Sequence, residues 1–165
     1  MLKEYLTDEK YEELKTSNNS IYKALELSLI LFKNDTDKGG FPYLLHLFYV
    51  YRNVNTIDEK IVALLHDVIE DKKVTKEDLL DIGFDKKIVY DVIMLSRNKK
   101  VTYFEYIDNL IKNASKEALV VKMADLENNM DLSRIKEPTV YDYERVEKRY
   151  TPSYEKIRNR LEEME

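Results

Sequence analysis

Apolar residues return at three- and four-residue intervals along almost all of this 165-residue chain, and only three glycines and three prolines interrupt it. That is the period of an α-helix, and too few turn residues remain for the tight turns of an all-β domain. The chemistry of the expected boundaries agrees. Thr56-Ile-Asp-Glu59 and Thr102-Tyr-Phe-Glu105 read as capping boxes, in which threonine and glutamate satisfy free backbone N–H groups of a first helical turn. Thr75, and Thr151 before Pro152, mark two further starts. The pattern predicts helices near 8–16, 19–33, 41–53, 58–70, 76–81, 85–97, 103–113, 116–131, 140–149 and 152–164. The expected fold class is all-α: a compact helical bundle forming one domain over residues 1–165, with a motif-bearing core at about 20–135 and C-terminal helices over 140–164.

The formal charge of -5 argues against a nucleic-acid partner held by a general basic field. A small anionic ligand stays open, because a local cluster or a metal overrides the overall sign. The absence of cysteine removes disulfides, thiolate metal sites and a thiol nucleophile. No run has the length and apolarity of a signal peptide core or a membrane span, so a cytoplasmic protein without a membrane partner is expected.

One segment breaks the apolar logic. In Ala63-Leu-Leu-His-Asp-Val-Ile-Glu-Asp71 an imidazole and three carboxylates fall within six positions. Ile61, Leu64, Leu65, Val68 and Ile69 cover more than one helix face, which puts His66 and Asp67 at least partly in the interior. A bare carboxylate there takes up a proton or finds a cation. Imidazole with carboxylate is a donor set for Mn, Fe or Zn, but two ligands do not hold an ion. The only other histidine, His46, sits in the apolar run FPYLLHLFYVY, and Asp125 is the single acid within LVVKMADL. Each alone reads more simply as a hydrogen-bonded core residue, a cap or an ion pair. Together they supply a mixed nitrogen and oxygen shell for one divalent metal ion.

The order His46, His66-Asp67, Asp125 resembles the HD superfamily of metal-dependent phosphohydrolases. The stretches Lys38-Gly-Gly-Phe-Pro-Tyr-Leu-Leu-His46, Ala63 to Asp71 and Val121-Lys-Met-Ala-Asp-Leu-Glu-Asn-Asn129 are similar to the hydrolase domain of RelA/SpoT-type alarmone enzymes and of small stand-alone alarmone hydrolases. That family removes the 3′-pyrophosphate of (p)ppGpp, usually with Mn2+. The resemblance implies His46, His66, Asp67 and Asp125 as metal ligands and Glu70 with Asp71 as the pair that orients or deprotonates water. It implies Asn129, Lys38 and Tyr43 as contacts to the nucleotide or the walls of its pocket. The chemistry fits independently, since phosphate-ester hydrolysis asks for a cation on the phosphoryl oxygens and a carboxylate to take a proton. Glu70 and Asp71 stand four residues beyond His66 and Asp67, on the same surface if one helix continues. The alternative role for such carboxylates is to orient metal-bound imidazoles.

Departures from the family pattern bear on the substrate. Asp37 stands where alarmone hydrolases commonly carry a base-stacking arginine, Leu132 where they carry threonine, and Leu47 where proline follows the first ligand histidine. An acid at 37 removes a cation–π contact and adds repulsion near a polyanion. The metal centre is expected intact and the guanine pocket altered. Lys122 and Arg134 flank the third motif, within reach of phosphate oxygens or solvent; Tyr103 and Tyr106 are expected at the core edge or against a base. Tyr154, Ile157, Leu161 and Met164 form a stripe that closes the core or supports a homodimer. The leading expectation is a (p)ppGpp 3′-pyrophosphohydrolase with a small anionic nucleotide as partner. The alternatives are the same chemistry on another nucleotide or phosphorylated metabolite, and an inactive helical module that binds metal or nucleotide.

Overall fold

The computed structural model describes residues 2–72 and 74–165, and among these there is helix and no strand, only an isolated bridge between Thr36 and Pro42. In chain order the α-helices are α1 (Asp8–Thr16), α2 (Ser20–Phe32), α3 (Leu44–Arg52), α4 (Ile57–Leu65), α5 (Val68–Lys72), α6 (Lys76–Asp81), α7 (Lys86–Leu95), α8 (Tyr103–Asn113), α9 (Lys116–Met130), α10 (Val140–Arg145) and α11 (Thr151–Glu163). Both expected capping boxes form, Thr56 with Glu59 at the start of α4 and Thr102 with Glu105 at the start of α8, and the expected start at Thr75 is a third box, with Asp78, at α6. The all-α expectation holds. No helix is long and apolar enough to cross a membrane among the described residues.

Helices α4 and α9 form the centre. The first packs on α2, α3, α7 and α9, the second on α3, α4, α7 and α11. Ile61, Val62, Ala63, Leu64 and Leu65 are all buried, as are Leu119, Val121 and Leu126 on α9. An ionised group placed among them needs a compensating partner. Ile157 of α11 is fully buried, with Tyr154 and Leu161 packed against the core, so the C-terminal stripe closes the core of its own chain.

Two expected helices are corrected. The segment 58–70 is not continuous: α4 ends at Leu65, His66 and Asp67 form a turn, and α5 begins at Val68. His66 Nδ1 lies 2.7 Å from the Ala63 carbonyl, and the Ser28 hydroxyl donates to the Leu64 carbonyl at 2.6 Å. Those are the acceptors the next helical N–H groups would use, and side-chain competition of this kind opens a helix. Thr151 is the first residue of α11 but does not cap a free helix start. One π turn, Val146–Tyr150, joins α10 to α11 without a break, and Pro152 sits in the first turn of α11.

Candidate metal centre and adjoining cleft

His46 comes from α3, His66 and Asp67 from the turn after α4, and Asp125 from α9. Their donor atoms converge. His46 Nε2 lies 3.3 Å from His66 Nε2 and 3.3 Å from Asp125 Oδ1. Asp67 Oδ2 is 2.9 Å from His66 Nε2 and 3.7 Å from His46 Nε2, and His66 Nε2 is 3.9 Å from Asp125 Oδ1. Bonds of about 2.0–2.2 Å to one ion put neighbouring donors roughly 3–3.5 Å apart, so this spacing suits a single divalent metal. His46, His66 and Asp125 are buried, with Asp67 at the rim.

The outer contacts point the imidazoles inward. His66 Nδ1 faces only a carbonyl, so it carries a hydrogen, and Nε2 is the nitrogen turned toward the other donors. His46 Nδ1 lies 2.8 Å from Asn128 Oδ1 within the buried interior, which fixes the same tautomer. Asn129, one turn beyond Asp125, donates to Asp125 Oδ1 at 2.5 Å, and Tyr43 donates to Asp67 Oδ2 at 2.5 Å. Lys122 pairs with Asp125 Oδ2 at 2.7 Å and lies over the Tyr106 ring.

The local field favours positive charge. Burial pulls the His66 pKa down, yet the Asp67 carboxylate beside it, with Asp125, carries it up to about 9. Asp125 is held well below the usual carboxylate range against its burial, chiefly by Lys122 and then by the histidines. Asp71 behaves differently: desolvation, then repulsion from Asp67 and Glu70, raise its carboxyl to about 6.

Glu70, Asp71, Lys122, Tyr43 and Asn129 share one hollow with His46, Asp67 and Asp125, so nearly all the residues singled out in the sequence come together. Glu70 Oε2 is occupied by the backbone N–H of Arg97 at 2.8 Å, which ties it to the segment after α7. Tyr103 and Tyr150 close the far wall, while Tyr106 turns away to bond the Leu95 carbonyl. Lys38 stands outside this hollow, in an adjoining cleft that also meets Tyr43, His46 and Asn129. There Lys38 reaches Asp142 of α10 at 3.1 Å. Asp37 lines the same cleft but is paired with Arg134 at 2.8 Å, so the expected repulsion is neutralised.

Asn128, Asp142, Arg145 and Tyr150 were not visible as site residues from the sequence. Asn128 carried one signal, its place a helical turn beyond Asp125 beside Asn129. The other three reach the cleft through the path of α10 and the π turn, which no local pattern announces.

A curated relative from Vibrio cholerae serotype O1, a guanosine-3′,5′-bis(diphosphate) 3′-pyrophosphohydrolase, is 31% identical over 140 residues, spanning 77% of this chain and 19% of the relative. The chain thus spans about a fifth of the length of that relative. Among solved structures, a metazoan ortholog of SpoT, described as hydrolysing ppGpp and playing a role in starvation responses, superimposes with a TM-score of 0.69 at 25% identity. The match covers 88% of this chain and 86% of that one. This chain resembles the RelA/SpoT-type HD hydrolases in sequence and in fold. No family model matches it.

Proposed function

We propose that this protein is a metal-dependent phosphohydrolase that releases pyrophosphate from the 3′ side of (p)ppGpp. The observation that carries the reading is the meeting of two imidazoles and two carboxylates from three separate segments at one point, beside Glu70 and Asp71. The Vibrio cholerae relative and the metazoan ortholog support the substrate, since each is named for action on that nucleotide.

His46, His66, Asp67 and Asp125 hold one divalent ion, Mn2+ in this reading. When bound, the ion polarises a phosphoryl oxygen and lowers the pKa of water. Asp71 accepts the proton of the attacking water, and its carboxyl, raised to about 6, is a stronger base than an ordinary aspartate while still ionised at neutral pH. Glu70 orients water from beside it, fixed by Arg97. The water oxygen bonds to phosphorus, the bond from that phosphorus to the ribose 3′ oxygen breaks, and the departing 3′ oxygen takes up the proton that Asp71 received, which restores the carboxylate. Tyr43 and Lys122 keep Asp67 and Asp125 turned toward the ion. Lys38 and Arg145 offer cations to the nucleotide's phosphates, Lys38 by exchanging Asp142 for a phosphate oxygen.

The test is pyrophosphate release from ppGpp by the purified protein with Mn2+, with Asp67→Ala as the blank. Release that the variant abolishes is expected; a wild type that leaves ppGpp intact defeats the assignment. A second reading, the same chemistry on another nucleotide, is favoured by the changed cleft wall at Asp37 and Leu132. It predicts pyrophosphate or phosphate release from a nucleotide panel with ppGpp untouched.

A further inference from the structure

At the outer end of the cleft the 36–42 loop and the 132–135 segment are locked together. Asp37 Oδ1 accepts the backbone N–H groups of Gly39 at 2.8 Å and Phe41 at 3.0 Å, and Oδ2 accepts Arg134 Nη1 at 2.8 Å. The fit leaves no slack: Gly40 has φ +81°, and a Cβ on Gly39 would stand 2.3 Å from the Arg134 carbonyl. Asp37 therefore has both oxygens engaged and a side chain only 9% exposed. It cannot reach a ligand as a free charge.

Arg134 is the opposite case. One of its nitrogens holds Asp37, while its Nε is buried with no partner among the described residues. The side chain lines the cleft together with Leu132 and Ile135. A guanidinium fixed in one plane beside two aliphatic side chains suits a flat ring that carries hydrogen-bond acceptors on its edge. The phosphate-binding cations, Lys38 and Arg145, come from other segments.

We infer that Arg134, oriented by Asp37, is the specificity-determining contact for the nucleobase, and that Asp37 is its positioning residue. The inference rests on the nucleotide-hydrolase reading, but its test does not depend on turnover. Calorimetric titration of the Mn2+-loaded protein uses GDP and inorganic pyrophosphate as separate probes. Arg134→Ala weakens GDP binding by about tenfold or more and changes pyrophosphate binding by less than about twofold. Arg134→Lys recovers little, because an ammonium is a point charge without the planar fork. Asp37→Asn keeps an oxygen for the Gly39 and Phe41 N–H groups and weakens GDP alone, by about three- to tenfold.

Thermal melts and Mn2+ titrations run alongside, and if Arg134→Ala does not fold the two conservative variants decide the matter. The inference is overturned if the wild type does not bind GDP, if no variant weakens GDP, or if GDP and pyrophosphate are lost in parallel. A wild type that binds GDP as described but leaves ppGpp uncleaved removes the proposed reaction and leaves Arg134 in its role.

Discussion

Asn128 meets His46 at 2.8 Å inside the core, and this single hydrogen bond decides which imidazole nitrogen faces the metal centre. Replacing Asn128 by alanine leaves His46 free to rotate or change tautomer, and removal of such a supporting contact costs roughly 10- to 100-fold in metal affinity. Titration of the folded variant with Mn2+ checks this, and unchanged affinity would assign Asn128 to packing alone. The four ligand candidates were legible in the sequence because each places an ionisable group in an apolar run, but Asn128 was not, because a polar residue near a helix end is ordinary. Asp91 makes a second case at this scale. It is fully buried; Oδ1 accepts from the Ser115 hydroxyl at 2.7 Å and Oδ2 has no hydrogen-bond partner among the described residues. Burial raises its pKa, with Ser115 opposing. A carboxyl whose folded value is raised binds more protons folded than unfolded, so stability is lost as pH rises from its unfolded value through the folded one. Asp91→Asn removes that loss: its melting temperature exceeds the wild type's at pH 7.5 and the gain fades toward pH 4. A gain equal at both pH values would show that the charge of Asp91 is irrelevant.

The helices were legible wherever a capping box and a periodic face coincided, as at Thr56 and Thr102. They were misread where the deciding group lay far away in the chain. The interruption at His66 and Asp67 depends on the Ser28 hydroxyl on α2, and the threonine-proline pair at 151–152 looks like a helix start until the π turn carries the chain through it. That turn spends one residue more than an α-helix would, and π turns inside α-helices often accompany functional sites. Its effect here is rotational. Asp142, Arg145 and Tyr150 all reach the cleft, although α11 beyond them must also keep Ile157 in the core. Deleting Lys148, an exposed residue within the turn, removes the extra residue and rotates α10 by about 100° relative to α11. Neither α10 nor the π turn contains a buried residue, so the melting temperature and Mn2+ affinity stay close to wild type while ppGpp affinity falls about tenfold or more. Retained ppGpp affinity would mean that α10 contributes no binding wall.

Across the whole molecule the candidate ligand atoms join the two central helices and α3, three elements that already pack through apolar side chains such as Leu47, Val62, Leu65 and Val121. A metal held there would be a cross-link added to a core, not a substitute for one. An ion that binds only the folded chain adds RT ln(1 + [ion]/Kd), about 2.7 kcal/mol at one hundred times Kd. For a chain of this size each kcal/mol moves the melting temperature by roughly 2–4 °C, so saturating Mn2+ raises it by about 5–11 °C. EDTA reverses the rise, and His46→Ala or Asp125→Ala shows much less of it. Helical circular dichroism at 25 °C is unchanged by EDTA, because the buried faces of α4 and α9 do not need the ion to stay in place. These two readouts separate the alternatives. Loss of helix on chelation would make the ion part of the fold itself, as in small metal-dependent domains. No thermal shift with Mn2+, nor with Zn2+ or Fe2+ under the same conditions, would leave two histidines and two carboxylates converging without a cation and would defeat the metal-centred reading of this site.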